Sequence, residues 1–251
     1  MLAFLALARL PSLEPLRYWA PGEWGKLLGL DRIPEVRTVR NKLALLSDQE
    51  VSAWSAELCA QWMGEDPDKT SVLYVDGHVR VYHGSQTQLP RHYVARQKLC
   101  LRATTDYGIN AMDGQPFFVL DQAVDPGLLQ VLEQQIVPRL EQEIPNQPSA
   151  EELASDAQLH CFTLIFDREG YSPAFLRTMK AKRIACQTYR KYPGADWPQE
   201  EFCACQVELA SGAQVSMDLA SISTVIGSPN THFSLHARDG CGELQKLLIL
   251  L

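Results

Sequence analysis

The chain has 251 residues, 46% of them hydrophobic, and a formal net charge of −7 at pH 7. This length and composition exclude a disordered chain and allow one large domain, or a core domain with a helical appendage. The acidic balance gives no overall support for nucleic-acid binding, so such a role has to rest on local basic patches.

The seven cysteines lack the spacing of a disulfide framework. Cys203 and Cys205 form a C-x-C pair, but no second pair follows at zinc-finger spacing. We therefore expect free thiols in a reducing compartment and a cytoplasmic protein. The apolar opening run stops at Arg9, has no basic residues before it, and is too short to span a bilayer. It predicts a buried helix that starts upstream, which suggests that the native N-terminus is missing.

Residues 1–70 are predicted to form an N-terminal helical region. In the helix that starts near Glu35, Val36 and Val39 share one face, while Arg37 and Arg40 lie elsewhere. A basic second helix is typical of a helix-turn-helix DNA reader, but a solvated amphipathic helix has the same pattern. A further helix is predicted over residues 47–63, with Ser47 as its N-cap, and residues 64–69 form the domain boundary.

The central stretch of the sequence is residues 71–82, which predict a strand because Val, Leu and Tyr dominate them. Residues 72–75 are almost continuously apolar, as in a strand buried on both faces, and Asp76 follows directly. Asp76-Gly77 is also a hairpin signal. The strand pattern nevertheless continues to Tyr82, which favours an uninterrupted strand.

A second run has the same form: residues 161–166 are apolar and end at Asp167. Ser172 and Pro173 then predict the start of a helix. Two strand ends that each deliver an aspartate would form a site of hard oxygen ligands suited to Mg²⁺. The alternative for either residue alone is a turn former or helix cap.

Basic residues follow the first strand without an acidic residue among them until Asp106. They are Arg80, Arg91, Arg96, Lys98 and Arg102, and Tyr82 and Tyr93 lie in the same span. Such a segment is a candidate DNA-binding surface, and a solvated face is the alternative.

The remaining elements are predicted from local patterns. Strands are expected over residues 98–104, 117–120 and 183–189, and a helix with a wide apolar stripe over residues 128–140. Residues 144–156 are predicted to form a surface loop. Residues 201–209 and 213–219 are compatible with strands, and the tail over residues 211–251 has no clear periodicity.

This order of elements resembles the ribonuclease-H-like core of DDE-type transposases from bacterial insertion sequences. The resemblance is carried by residues 20–38 (APGEWGKLLGLDRIPEVRT), 74–80 (YVDGHVR) and 166–173 (FDREGYSP). It covers roughly residues 1–210 and implies an α/β fold, with a mixed sheet flanked by helices over residues 71–210.

The resemblance further implies that Asp76 and Asp167 are catalytic and bind Mg²⁺ or Mn²⁺. The activity would be DNA cleavage and strand transfer, with DNA ends and target DNA as partners. Such enzymes commonly act as homo-oligomers, and no membrane association is expected.

One feature departs from the family pattern. The third carboxylate, usually a glutamate on a later helix, is not identified: Glu243 is a weak candidate, and Glu169 is read as a neighbour that orients its loop. The alternative function is therefore a truncated, inactive transposase remnant that at most binds DNA. A third reading is an unrelated metal-dependent nuclease with the same fold.

Overall fold

The computed structural model describes residues 2–10, 12–49, 51–85, 87–94, 97–123, 125–189, 198–208, 212–225, 232–238 and 244–250. The chain separates into two compact units, Met1–Ser55 and Ala56–Leu251. In the described part of the chain, no helix is both long and apolar enough to cross a bilayer.

The first unit is helical, as the sequence predicts. It contains α1 (Leu2–Leu7), a 3-10 helix (Glu14–Tyr18), α2 (Pro21–Leu27), α3 (Val36–Ser47) and the beginning of α4 (Val51–Glu65). A small apolar cluster of Leu5, Leu16, Ile33 and Val36 holds it together. Residues 28–35 connect α2 to α3, which is longer than the three- or four-residue turn of a helix-turn-helix motif.

The second unit is built on one mixed sheet, in which ten strands are described. They are β1 (Val72–Val81), β2 (Arg91–Val94), β3 (Leu99–Ala111), β4 (Pro116–Gln122), β5 (Phe162–Phe166), β6 (Ile184–Tyr189), β7 (Cys203–Glu208), β8 (Gln214–Val225), β9 (His232–Arg238) and β10 (Leu244–Leu250). The strand order is β2-β3-β1-β5-β6-β10-β9-β8-β7, and β4 also pairs with β3.

The centre of this sheet has the arrangement of a ribonuclease-H-like fold. Strand β3 lies antiparallel between β1 and β4, whereas β5 pairs parallel to β1, and β6 pairs parallel to β5. The predicted α/β class, with a mixed sheet and N-terminal helices, is therefore confirmed. Strand β10 pairs antiparallel to β6, so the segment after residue 210 extends the sheet.

The helices of the second unit cover the apolar face of the sheet. They are α5 (Leu128–Val131), a π-helical turn (Leu132–Ile136), α6 (Val137–Glu143), α7 (Ala150–Ser155) and α8 (Pro173–Ala181), with a 3-10 turn at Arg168–Gly170. Buried residues from α4, the sheet and the helices form one core, including Met63, Leu73, Leu132, Leu164 and Leu176. The Ser172 side chain accepts a hydrogen bond from the Phe175 amide at the start of α8, as the sequence predicts.

Two predictions of helices and loops are wrong. Ser47 ends α3 rather than starting the next helix, because its hydroxyl donates back to the Ala44 carbonyl. Residues 144–156 are not all loop, since α7 forms behind a capping box in which Ser149 and Glu152 satisfy each other's backbone amides.

Candidate active site

Asp76 and Asp167 come directly after the stretch over which two neighbouring strands, β1 and β5, pair in parallel. The pairing of β1 with β5 runs from Val72 opposite Thr163 to Val75 opposite Phe166. Asp76 is the next residue of β1, which continues to Val81, and Asp167 directly follows the end of β5. Because adjacent strands are about 4.8 Å apart, the register brings the two carboxylate-bearing residues together.

Strand β1 is buried on one face, which corrects the expectation of burial on both. Leu73 and Val75 are 0% and 3% exposed, but Tyr74 between them is 39% exposed, and Asp76 is exposed as well. The cost of burying a charge therefore gives no argument for a metal at Asp76. Support for a metal at Asp76 comes from the neighbouring carboxylate of Asp167.

The local contacts of the two aspartates differ. One carboxylate oxygen of Asp167 accepts the Arg168 amide at 2.7 Å and caps the 3-10 turn that follows, so the helix-cap alternative describes part of its role. Among the described residues, no other hydrogen bond or ion pair reaches the carboxylate of Asp167, and none reaches the carboxylate of Asp76. Neither carboxylate is neutralised by a described Lys or Arg.

A cavity of about 590 Å³ opens beside these two aspartates. Four acidic residues line it, namely Asp76, Asp125, Asp167 and Glu169. The hairpin of β2 and β3 also contributes to its wall, through Tyr93, Val94 and Gln97. The sheet thus places a strongly acidic cavity next to the segment that is basic in the sequence.

Tyr107 fixes the loop that carries Asp125. Its hydroxyl donates to Asp125 Oδ1 at 2.6 Å, and the same oxygen accepts the Gly127 amide at 2.8 Å. Burial, then the bond to Asp125, and then the charges of Asp125 and Glu169 raise the pKa of Tyr107 above its ordinary value. The phenol therefore stays protonated and holds Asp125 as an acceptor.

The donor set that the structure describes suits a weakly held hard cation. Among the described residues, no group of three or more His, Cys, Asp or Glu side chains is arranged to hold a metal ion. Mg²⁺, however, commonly binds through one or two carboxylates and keeps several waters. The adjacent aspartates Asp76 and Asp167 fit that mode.

Arg80 lies on the exposed face of β1, where it pairs with an acidic residue. Its guanidinium forms an ion pair with Asp106 of β3, and Asp121 of β4 stands opposite Asp106. Burial and the hydrogen bond to Asp106 raise the pKa of Asp121, against the opposing effect of Arg80. In this structure the Arg80 charge is shared with two carboxylates.

The other predicted basic residues converge on the β2–β3 hairpin. Arg91 and Arg102 face each other across the two strands, and Lys98 is in the connecting turn with a positive φ of 53°. All three side chains are exposed. Arg96 lies outside the described residues.

Sequence reasoning missed some of the groups in the cavity. Tyr107 lies beyond the predicted end of its strand at residue 104, and Asp125 lies before the helix predicted over residues 128–140. The alternation of buried odd-numbered residues from Ala103 to Ala111 is a signal that β3 is long. No local signal indicates that Tyr107 and Asp125 meet.

Comparison with known proteins identifies one family. The sequence matches the family described as "Transposase protein" over residues 1–228. The match spans both compact units and includes all three segments that carry the resemblance. No curated protein matches the chain.

Proposed function

Because the chain belongs to this family of transposases, with DNA as the partner, we propose that it cleaves DNA and transfers the cut strand by a DDE-type mechanism. Asp76 and Asp167 are the catalytic carboxylates in this proposal, and Mg²⁺ or Mn²⁺ is the cofactor. The observation that carries it is that both aspartates follow a pair of registered residues, Val75 and Phe166, in parallel strands.

The charge of the cavity supports a bound cation. Four carboxylate-bearing residues line it, and a phosphodiester is itself negatively charged. Without a cation, repulsion would keep the DNA backbone out. When bound, a divalent ion supplies a water or hydroxyl of lowered pKa and stabilises developing charge on phosphate oxygens.

The protein's own residues would orient the site. The 3-10 turn after Asp167 fixes one oxygen of that carboxylate, and the parallel pairing that ends at Val75 and Phe166 places its backbone beside that of Asp76. Arg91, Lys98 and Arg102 are exposed on the hairpin at the same cavity and would bind the DNA backbone. Arg96 is proposed to join them, and Arg80 would exchange its pairing with Asp106 for a phosphate.

A second candidate function is DNA binding without cleavage. It is favoured by one observation: the described residues do not provide a group of three metal-binding side chains. Glu243, the weak candidate for the third carboxylate, lies outside the described residues. Glu169 lines the cavity. Among the described residues, it is the one to mutate as a test for a third carboxylate.

A nicking assay with Mg²⁺ or Mn²⁺ tests the proposal. We expect cleavage by the unaltered protein and at least a 100-fold loss in Asp76→Asn and Asp167→Ala, since removing such groups removes transition-state stabilisation. Asp68→Asn is the matched control, because Asp68 is exposed and does not line the cavity. Equal cleavage by Asp76→Asn would show that the assigned chemistry is wrong.

Calorimetric titration with the same ions separates the two candidate functions. Heat of binding that is lost in Asp167→Ala supports a metal site at that residue. DNA binding that weakens with salt but leads to no cleavage supports the second function.

A further inference from the structure

One face of the β2–β3 hairpin carries an unusual combination of side chains. Arg91 lies opposite Arg102, and Tyr93 lies opposite Cys100. Residues two apart on a strand share a face, so Arg91 and Tyr93 are neighbours on it. All four side chains are exposed, and Tyr93 is 62% exposed.

The arginine pair is unfavourable without a partner. Like charges directly opposite each other on two strands destabilise the pairing. Neither Arg91 nor Arg102 forms an ion pair with a described residue. A phosphate between the two guanidiniums would remove the repulsion and accept several charge-assisted hydrogen bonds.

Tyr93 links this cationic face to the candidate active site. It lines the same cavity as Asp76 and Asp167. Its place is fixed by neighbouring backbone contacts, since Val94 is buried and the Ala103 amide donates to the Pro90 carbonyl. The sheet therefore fixes the backbone that carries the Tyr93 ring.

An exposed aromatic ring at the wall of this cavity is suited to stack on an unpaired base of DNA. Bases inside a duplex are already stacked on each other, whereas an unpaired base offers a free face to an aromatic side chain. The arginines would bind the adjacent phosphate, which carries no sequence information.

We propose that Tyr93 stacks on an unpaired base next to the phosphate to be cut, while Arg91 and Arg102 together hold the neighbouring phosphate. The preferred substrate is then DNA with an unpaired nucleotide at the cleavage position, rather than a continuous duplex. This inference rests on the proposed function, because it places DNA in the acidic cavity.

The test compares two labelled DNAs of equal length by fluorescence anisotropy in Ca²⁺, a hard cation that would neutralise the carboxylates of the cavity. One is a full duplex, and the other has a short unpaired segment. We expect the full-length protein to bind the second DNA at least about fivefold more tightly, as base–aromatic stacking allows. Tyr93→Ala should lose this preference but keep its duplex affinity within about twofold, and Tyr93→Phe should retain the preference.

Two further variants complete the design. Tyr18→Ala removes a tyrosine that is 87% exposed and does not line the cavity, so it should leave the preference unchanged. The double variant Arg91→Gln/Arg102→Gln should weaken binding of both DNAs and lower the slope of affinity against salt by about one.

The proposal is overturned if the unaltered protein binds the two DNAs equally, or if Tyr93→Ala keeps the preference. The preference is measured as binding and not as cleavage, so this failure is distinct from that of the proposed function. The latter fails when Asp76→Asn cleaves DNA as the unaltered protein does, whatever Tyr93 contributes to binding.

Discussion

The ring of Tyr107 lies against the backbone of Gly77. The two residues are paired across β1 and β3, and a Cβ atom on Gly77 would be 2.9 Å from Cε1 of the ring. Gly77 thus continues the strand beside Asp76, and the hairpin alternative for Asp76-Gly77 is wrong. The glycine provides the space for a buried tyrosine whose hydroxyl positions Asp125.

Substitution of Gly77 by alanine should therefore lower the free energy of unfolding. The ring cannot move easily because Tyr107 is 3% exposed and hydrogen-bonded. Overpacking of this kind costs about 1–3 kcal/mol. Urea denaturation measures it, with Gly64→Ala as the control, since nothing lies within 4 Å of a Cβ at Gly64 in α4. An unchanged midpoint in Gly77→Ala would contradict the close contact.

Tyr107 should make stability depend on pH in the alkaline range. The pKa of Tyr107 is raised in the folded protein from an ordinary value of 10.0. Its contribution to the stability of the fold is therefore fully present below pH 10. Above that pH the unfolded chain ionises first, and stability falls by up to about 1.4 kcal/mol per pH unit. Tyr107→Phe should remove this part of the slope and cost about 1 kcal/mol at neutral pH through the lost hydrogen bond.

The measurement for Tyr107 is denaturant unfolding at several values between pH 8 and 11. Tyr18→Phe is the control, because Tyr18 is 87% exposed. The same alkaline slope in Tyr107→Phe and in the unaltered protein would refute the assignment.

The cysteines should differ strongly in reactivity. Burial raises the pKa of Cys59 and of Cys186 to about 12 from an ordinary 9.0, so each has roughly 1,000-fold less thiolate than an ordinary thiol at pH 8. Cys100 and Cys203 are exposed and free. Alkylation followed by peptide mass spectrometry should modify these two in the native protein and the buried two only after unfolding. Rapid native labelling of Cys186 would show that its strand opens readily.

Two glutamates of α6 should contribute unequally to stability. Arg139 Nε donates to both oxygens of Glu143 at 2.7 and 2.8 Å, and its guanidinium lies 3.9 Å from the centre of the Phe118 ring. Because this pair is only 16% and 17% exposed, Glu143→Gln should cost about 1–3 kcal/mol.

Glu141→Gln is the matched control for that pair. Glu141 contacts Lys182 at 2.7 Å, but the two side chains are 34% and 39% exposed, so its loss should cost less than about 1 kcal/mol. Thermal or urea unfolding of both variants compares them directly. Equal losses would mean that burial does not strengthen the Arg139–Glu143 pair.

Local patterns predicted the elements that define the fold. Runs of β-branched and aromatic residues predicted the strands that precede Asp76 and Asp167, and Ser172 predicted the start of α8. The strands after residue 221 were not predicted, because their sequence shows no clear period and β10 joins the sheet by pairing with β6, which is distant in the chain. Strand pairing of this kind is a property of the whole sheet and not of the segment.

The sequence by itself determined that two aspartates follow apolar runs and that a basic segment with tyrosines lies between them. Strand propensity and local charge can be predicted in this way because they depend on consecutive residues. Only the tertiary structure decided that these aspartates are neighbours, since that depends on the register of β1 with β5. It also brought Tyr107 to Asp125, Arg91 to Arg102, and Tyr93 to the acidic cavity. Hydrogen-bond registry between strands and the packing of loops on the sheet set these contacts, and neither is encoded in a short stretch of chain.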